Sequence, residues 1–222
     1  VFFIGKEDLS SQLLRTFSGS FGYARAVNTP GLRKIVLLHG HPDPDRARLG
    51  YALADAYERG ARLAEHEVHR VDVADLELGV LRTKRAWDTE MPAPEILALR
   101  ERVAESDHLA IVFPLWLGTM PAYFKAFWEQ LLRTGVPQTG KATAPSILRG
   151  KSARIVVTMG MPAPVFRWYF GGYGVKCFAR GILKIMGVAP IRTTVLGSVA
   201  GRGEAGYQHW MKAMSELGRR CN

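Results

Sequence analysis

The sequence predicts an α/β protein built on one doubly wound parallel sheet of five strands. Short apolar runs alternate with stretches of helical spacing along most of the chain. One run, Leu109 to Phe113, is apolar at every position, as in a strand covered on both faces. Strands separated by helices also require parallel, right-handed crossovers.

The elements follow in order. Lys34 to His39 reads as a buried strand, and Gly40, His41, Pro42, Asp43 and Pro44 end it. Leu49, Leu53, Ala56 and Tyr57 recur at helical spacing and fade at Gly60. A second strand is expected over Glu67–Val73, a helix over Pro94–Glu105 and a third strand over His108–Phe113. Pro121 is placed in the first turn of a helix whose apolar face is Phe124, Phe127, Trp128 and Leu131. A fourth strand spans Ala153–Met159, and a long helical stretch ends near Met186-Gly187. Val188–Leu196 gives a fifth strand, and a final helix runs from about Gly206 to Leu217. The expected strand order is 2-1-3-4-5.

Residues 1–32 lack a sustained period and are expected to form a poorly ordered appendage, leaving 33–222 as one domain. Lys6, Glu7 and Asp8 interrupt the apolar start before it reaches the length of a secretory core. No run approaches a membrane span. Cys177 and Cys221 lie far apart with no metal-ligand spacing, so a reducing cytoplasm is expected, and Cys177 is read as a packing residue on an apolar helix. The formal charge is +10, and no Asp or Glu occurs between Glu129 and Glu204. Such a field favours anionic ligands without choosing among a phosphorylated cofactor, nucleic acid and acidic lipid. No nucleic-acid motif is present, so no nucleic-acid partner is expected.

Several chemistries are disfavoured. The six histidines show no H-E-x-x-H arrangement, no G-x-S-x-G elbow follows a strand, and neither a Walker A loop nor G-x-G-x-x-G is present. His39 and His108, at or in strands, read as hydrogen-bonded structural histidines.

In an open parallel sheet, ligands bind outside the carboxyl ends of the strands, at the switch point between strands one and three. The loop after strand one, GHPDPDRARLG, leads into a helix N-terminus that attracts phosphate, with His41, Arg46, Arg48 and Leu49 as candidate contacts. The Asp-Pro steps are equally consistent with plain turn chemistry and solvated arginines. After strand three, FPLWLGTMP presents Pro114, Leu115, Trp116, Leu117 and Gly118, a tight turn whose backbone N–H groups and apolar side chains suit a flat polar ring. The alternative is an aromatic strand end that only caps the core.

In these motifs, Arg33 to Leu217 resembles the flavodoxin-like NAD(P)H dehydrogenase (quinone) family. The segment FPLWLGTMPAYFKAFWEQLL, Phe113 to Leu132, carries most of the likeness, and HGHP, His39 to Pro42, supports it. The resemblance implies a flavin, FMN with FAD as the alternative, and NADPH or NADH as electron donor. It implies a quinone-like acceptor, a ping-pong cycle of two-electron hydride transfer, and a homodimer with the pocket between subunits. It places Thr158 and Gly160, in TMGMPAP, over the flavin, and Tyr169 and Tyr173 near the family's catalytic Tyr and His. This chain departs from the family pattern at Asp45, Arg46 and Arg48, where Ser or Thr usually meets the phosphate, and at Met159, Met161 and Pro162. Val165 to Gly187 mixes aromatics with Arg167, Lys176, Arg180 and Lys184. It either frames the site or rests on an acidic membrane, a possible peripheral association at the inner face. The alternative activity is a flavin-binding accessory subunit that regulates a membrane transporter.

Overall fold

The computed structural model describes residues 31–133 and 147–221. The appendage expected over 1–32 lies outside the described residues up to residue 30. Five strands, β1 (Lys34–His39), β2 (Glu67–Asp72), β3 (His108–Pro114), β4 (Ser152–Thr158) and β5 (Ile191–Leu196), form one sheet in the order 2-1-3-4-5. All four pairings are parallel.

Among the described residues, six α-helices flank the sheet: α1 (Leu49–Leu63), α2 (Lys84–Thr89), α3 (Pro94–Glu105), α4 (Ala122–Leu132), α5 (Tyr173–Lys176) and α6 (Glu204–Arg220). The side chains of β1 alternate between the layers. Ile35 and Leu37 pack with Leu53 and Tyr57 of α1 and Trp210 and Met214 of α6. Val36 and Leu38 face the other way, toward Ile96 and Leu99 of α3 and Phe124, Phe127 and Trp128 of α4. Both faces are thus covered, which is why β3 is apolar without a break after His108. Two glycines let α1 and α6 approach. A Cβ at Gly60 would fall 1.9 Å from the Ser215 carbonyl oxygen, and one at Gly218 would fall 2.0 Å from that of Tyr57.

Four expectations are corrected. Pro121 precedes α4 as its N-cap rather than lying in the first turn, with an extended ψ of 144°. β5 begins at Ile191, because the turn at 185–187 is followed by an irregular connection, Val188–Pro190, before the strand pairs. The long helical stretch is broken into π-helical Val165–Tyr169, then α5, then π-helical Cys177–Lys184. Left-handed Gly171 and Gly172 divide it. Cys177 is exposed, not packed, whereas Cys221 is buried. Among the described residues, no helix is long and apolar enough to cross a membrane.

Candidate functional site

The loops after β1, β3 and β4 meet at the carboxyl edge of the sheet. Gly40 N–H donates to the Val112 carbonyl (2.7 Å), and Leu115 N–H to that of Thr158 (2.8 Å). The His41 ring lies edge-on to Trp116, 5.7 Å between centroids. His41, Pro114, Leu115, Trp116 and Thr158 are therefore brought together.

The loop after β1 is organised by its aspartates. Asp43 Oδ1 accepts from Asp45 N–H (2.9 Å), Asp45 Oδ1 from Ala47 N–H (3.0 Å), and His41 Nδ1 from Asp43 N–H (3.0 Å). With Nδ1 accepting, neutral His41 carries its proton on Nε2, a donor. Burial, then neighbouring His39, lowers the His41 pKa and favours that neutral form. α1 starts without a side-chain cap and with no acid in its first turn, so its dipole and the Leu49 and Gly50 N–H groups are available to an anion, with Tyr51 N–H donating to the Arg48 carbonyl (3.0 Å).

Arg46 and Arg48 are engaged elsewhere. Arg46 reaches the end of β2, 2.8 Å from Asp72 and 2.7 Å from Asp75, with its guanidinium over the Tyr51 ring. Arg48 pairs with Asp43 at 2.7 Å and with Asp45 at 3.5 Å. They act as struts of the loop, which leaves backbone N–H groups and His41 as its candidate anion contacts. Behind the loop, His39 and Asp72 are register partners, with Nδ1 3.2 Å from Oδ1. Burial raises the Asp72 pKa, but His39 and Arg70 outweigh it and hold the carboxyl at about 2. His39 Nε2 is buried without a hydrogen-bond partner, against Gly50, where a Cβ would come within 2.5 Å.

The loop after β3 closes as a two-residue turn. Trp116 N–H donates to the Thr119 carbonyl (2.8 Å), and Thr119 N–H donates back to that of Trp116 (3.0 Å). Leu117 and Gly118 have φ of 47° and 81°, so both central residues are left-handed. For a leucine this is strained, and its side chain stands fully in solvent. Gly174 of α5 holds the turn by contact: a Cβ there would fall 2.0 Å from the Gly118 carbonyl oxygen. Among the described residues, the Leu117 and Gly118 N–H groups have no protein partner. The space beside Gly160 is open, and its loop is tied to the segment after β5 through Ser198 N–H to the Met161 carbonyl (3.0 Å). An uncapped helix start, a neutral imidazole donor and a turn with free N–H groups together fit a ligand with a phosphate and a flat polar ring.

The family model for the flavodoxin-like fold matches residues 33–220. The chain belongs to that flavodoxin-like family. No curated protein matches its sequence. Among solved structures, this flavodoxin-like chain is similar to an NAD(P)H:quinone oxidoreductase from Methanothermobacter marburgensis. That match has 17% identity and a TM-score of 0.69, covering 85% of this chain and 96% of the other. An FMN-dependent NADH-azoreductase from Bacillus anthracis, in complex with FMN, matches at 14% identity and TM-score 0.63, covering 85% and 99%. An NADH:FMN oxidoreductase matches at 19% and 0.54, covering 83% and 87%.

Tyr173 stands beside the turn that Gly174 supports, with its ring under Lys176 (5.5 Å), and Tyr169 packs edge-on to Phe170 (4.9 Å). Both tyrosines are exposed, at 75% and 83%. Asp43, Asp72, Gly50 and Gly174 were not among the expected site residues. The aspartate spacing in HPDPD signals an Asx-turned loop, whereas nothing local in the sequence marks the two glycine contacts.

Proposed function

We propose that residues 33–222 form a flavin-dependent NAD(P)H oxidoreductase domain that reduces quinone-like acceptors by two electrons. The observation that carries this reading is the conjunction at one sheet edge of the uncapped α1 start and the left-handed Leu117-Gly118 turn. The similarity to quinone reductases and azoreductases supports it. FMN is the proposed cofactor, since two of the similar structures name it. FAD carries a second, nucleotide-sized group beyond the phosphate. Bound flavin would supply a hydride acceptor and donor between nicotinamide and acceptor.

The roles of the chain's own groups follow. The α1 N-terminal N–H groups and His41 Nε2–H hold the phosphate. The N–H groups of Leu117 and Gly118 would hold the ring's polar edge, where hydrogen-bond donors stabilise negative charge. Trp116, Leu117 and Pro114 give the ring apolar contact, and Thr158 and Gly160 border it. In the ping-pong order of this reading, donor and acceptor would use one face in turn, and Tyr173 and Tyr169 would donate hydrogen bonds to acceptor oxygens. The basic stretch favours NADPH over NADH through the extra phosphate.

Trp168, Tyr169, Phe170 and Tyr173 are exposed aromatic residues within six positions of one another, the kind of surface that marks an interaction site. A second copy of the chain covers it in this proposal, giving a cytoplasmic homodimer with the pocket at the interface. Sedimentation tests this: a dimer that Trp168→Asp converts to monomer is expected. A wild-type monomer that floats with anionic vesicles would replace the dimer with peripheral membrane binding. Robust NAD(P)H oxidation by the purified chain separates an enzyme from a transporter's accessory subunit, which would bind flavin without turnover.

A further inference from the structure

A cleft of about 230 Å³ lies along the flank of α4, lined by Leu78, Leu81, Ile96, Gln130 and Arg133. It shares no residue with the loops after β1, β3 and β4. Arg133 follows the last turn of α4 and is only 3% exposed; Arg100, from α3, is 8% exposed. The Arg133 guanidinium makes one long hydrogen bond, NH1 to the Ala86 carbonyl at 3.3 Å, while its Nε is buried with no partner. Arg100 NH1 donates to the Leu131 carbonyl.

Glu90 is near enough to act on Arg133 electrostatically but makes no ion pair with it. Among the described residues, no carboxylate makes an ion pair with either guanidinium, and residues 134–146 contain no Asp or Glu. The C-terminal dipole of α4 offers roughly half a charge, against two permanent cations. Buried guanidinium with a free N–H is costly unless an anion completes it. We propose that this cleft binds a small monocarboxylate with an apolar body, its oxygens on Arg133 and its body against Leu78, Leu81 and Ile96.

The rim decides the class. Glu77 and Glu90 also line the cleft, and Glu90 leans outward to Arg85 at 3.6 Å. Two carboxylates at the mouth repel a dianion such as phosphate more than a single carboxylate, and the apolar wall favours a ring or alkyl body.

Benzoate is the probe, with inorganic phosphate as control. In ¹⁵N-labelled full-length protein, the Arg133 Nε–H signal, assigned by its loss in Arg133→Lys, is expected to shift saturably with benzoate and not with phosphate. The melting temperature should rise with benzoate in wild type and lose that dependence in Arg133→Met. An Arg133 Nε–H signal and melting temperature indifferent to benzoate would overturn the proposal, as would an undiminished response in Arg133→Met. An equal response to phosphate would overturn the carboxylate assignment. The flavin spectrum is read separately, so failure here leaves the oxidoreductase reading intact.

Discussion

Leu117 sits in a left-handed conformation with its side chain in water, a strained state that persists only because neighbours determine it. Gly174 is that neighbour. Gly174→Ala is expected to push on the Gly118 carbonyl, destabilise the fold by about 2 kcal/mol in urea unfolding, and weaken flavin binding with it. A variant that keeps wild-type stability and flavin affinity would show that the turn holds itself. Buried His108 belongs to the same scale. Burial first, and then nearby Arg33, push its pKa down to about 3, so the folded state stays unprotonated where the unfolded state binds a proton. Its stabilising effect is complete above the unfolded value of about 6.5 and is lost as pH falls from there toward 3, by at most about 1.4 kcal/mol per pH unit. Urea midpoints across pH 7 to 4 should fall, and His108→Asn should flatten that slope. Arg46 and Arg48 show where residue-level reading stops. Their charge was legible, but not their engagement by Asp72, Asp75 and Asp43, which depends on β2 lying beside β1.

At the scale of elements, the inner strands β1, β3 and β4 were legible because burial on both faces demands apolar runs, whereas β2 shows itself by alternation; β1 and α3 fall where the sequence places them. The misses have physical causes. α2 has no apolar period, and only its cap announces it, with Thr83 accepting from Ala86 N–H at 3.0 Å. The π-helical pieces after β4 retain helical spacing in sequence, while two left-handed glycines interrupt the backbone. Contacts between elements were the least legible part. Gly60 and Gly218 read as weak points in α1 and α6, yet each lies against a carbonyl of the other helix. Gly60→Ala, which would raise helix propensity in isolation, is therefore expected to destabilise by about 2 kcal/mol or more. A neutral or stabilising result in thermal unfolding would contradict the close approach of α1 and α6.

For the whole molecule, topology does what composition cannot. A charge of +10 names no ligand, but the order 2-1-3-4-5 brings the loops after β1 and β3 together at the switch point. Half of the candidate site was thus readable from its segments, whereas the contacts that give it shape, His41 with Trp116 and Gly174 with Gly118, exist only in the fold. The central claim is that this edge binds a flavin and passes it electrons from a nicotinamide. The most direct test is the absorbance spectrum of purified protein titrated with FMN and FAD, then with NADPH under anaerobic conditions. Stoichiometric FMN binding followed by bleaching of the oxidised-flavin band, and its recovery on adding a quinone, is the predicted result. Protein that takes up neither flavin, or holds FMN that NADPH leaves oxidised, would contradict the account.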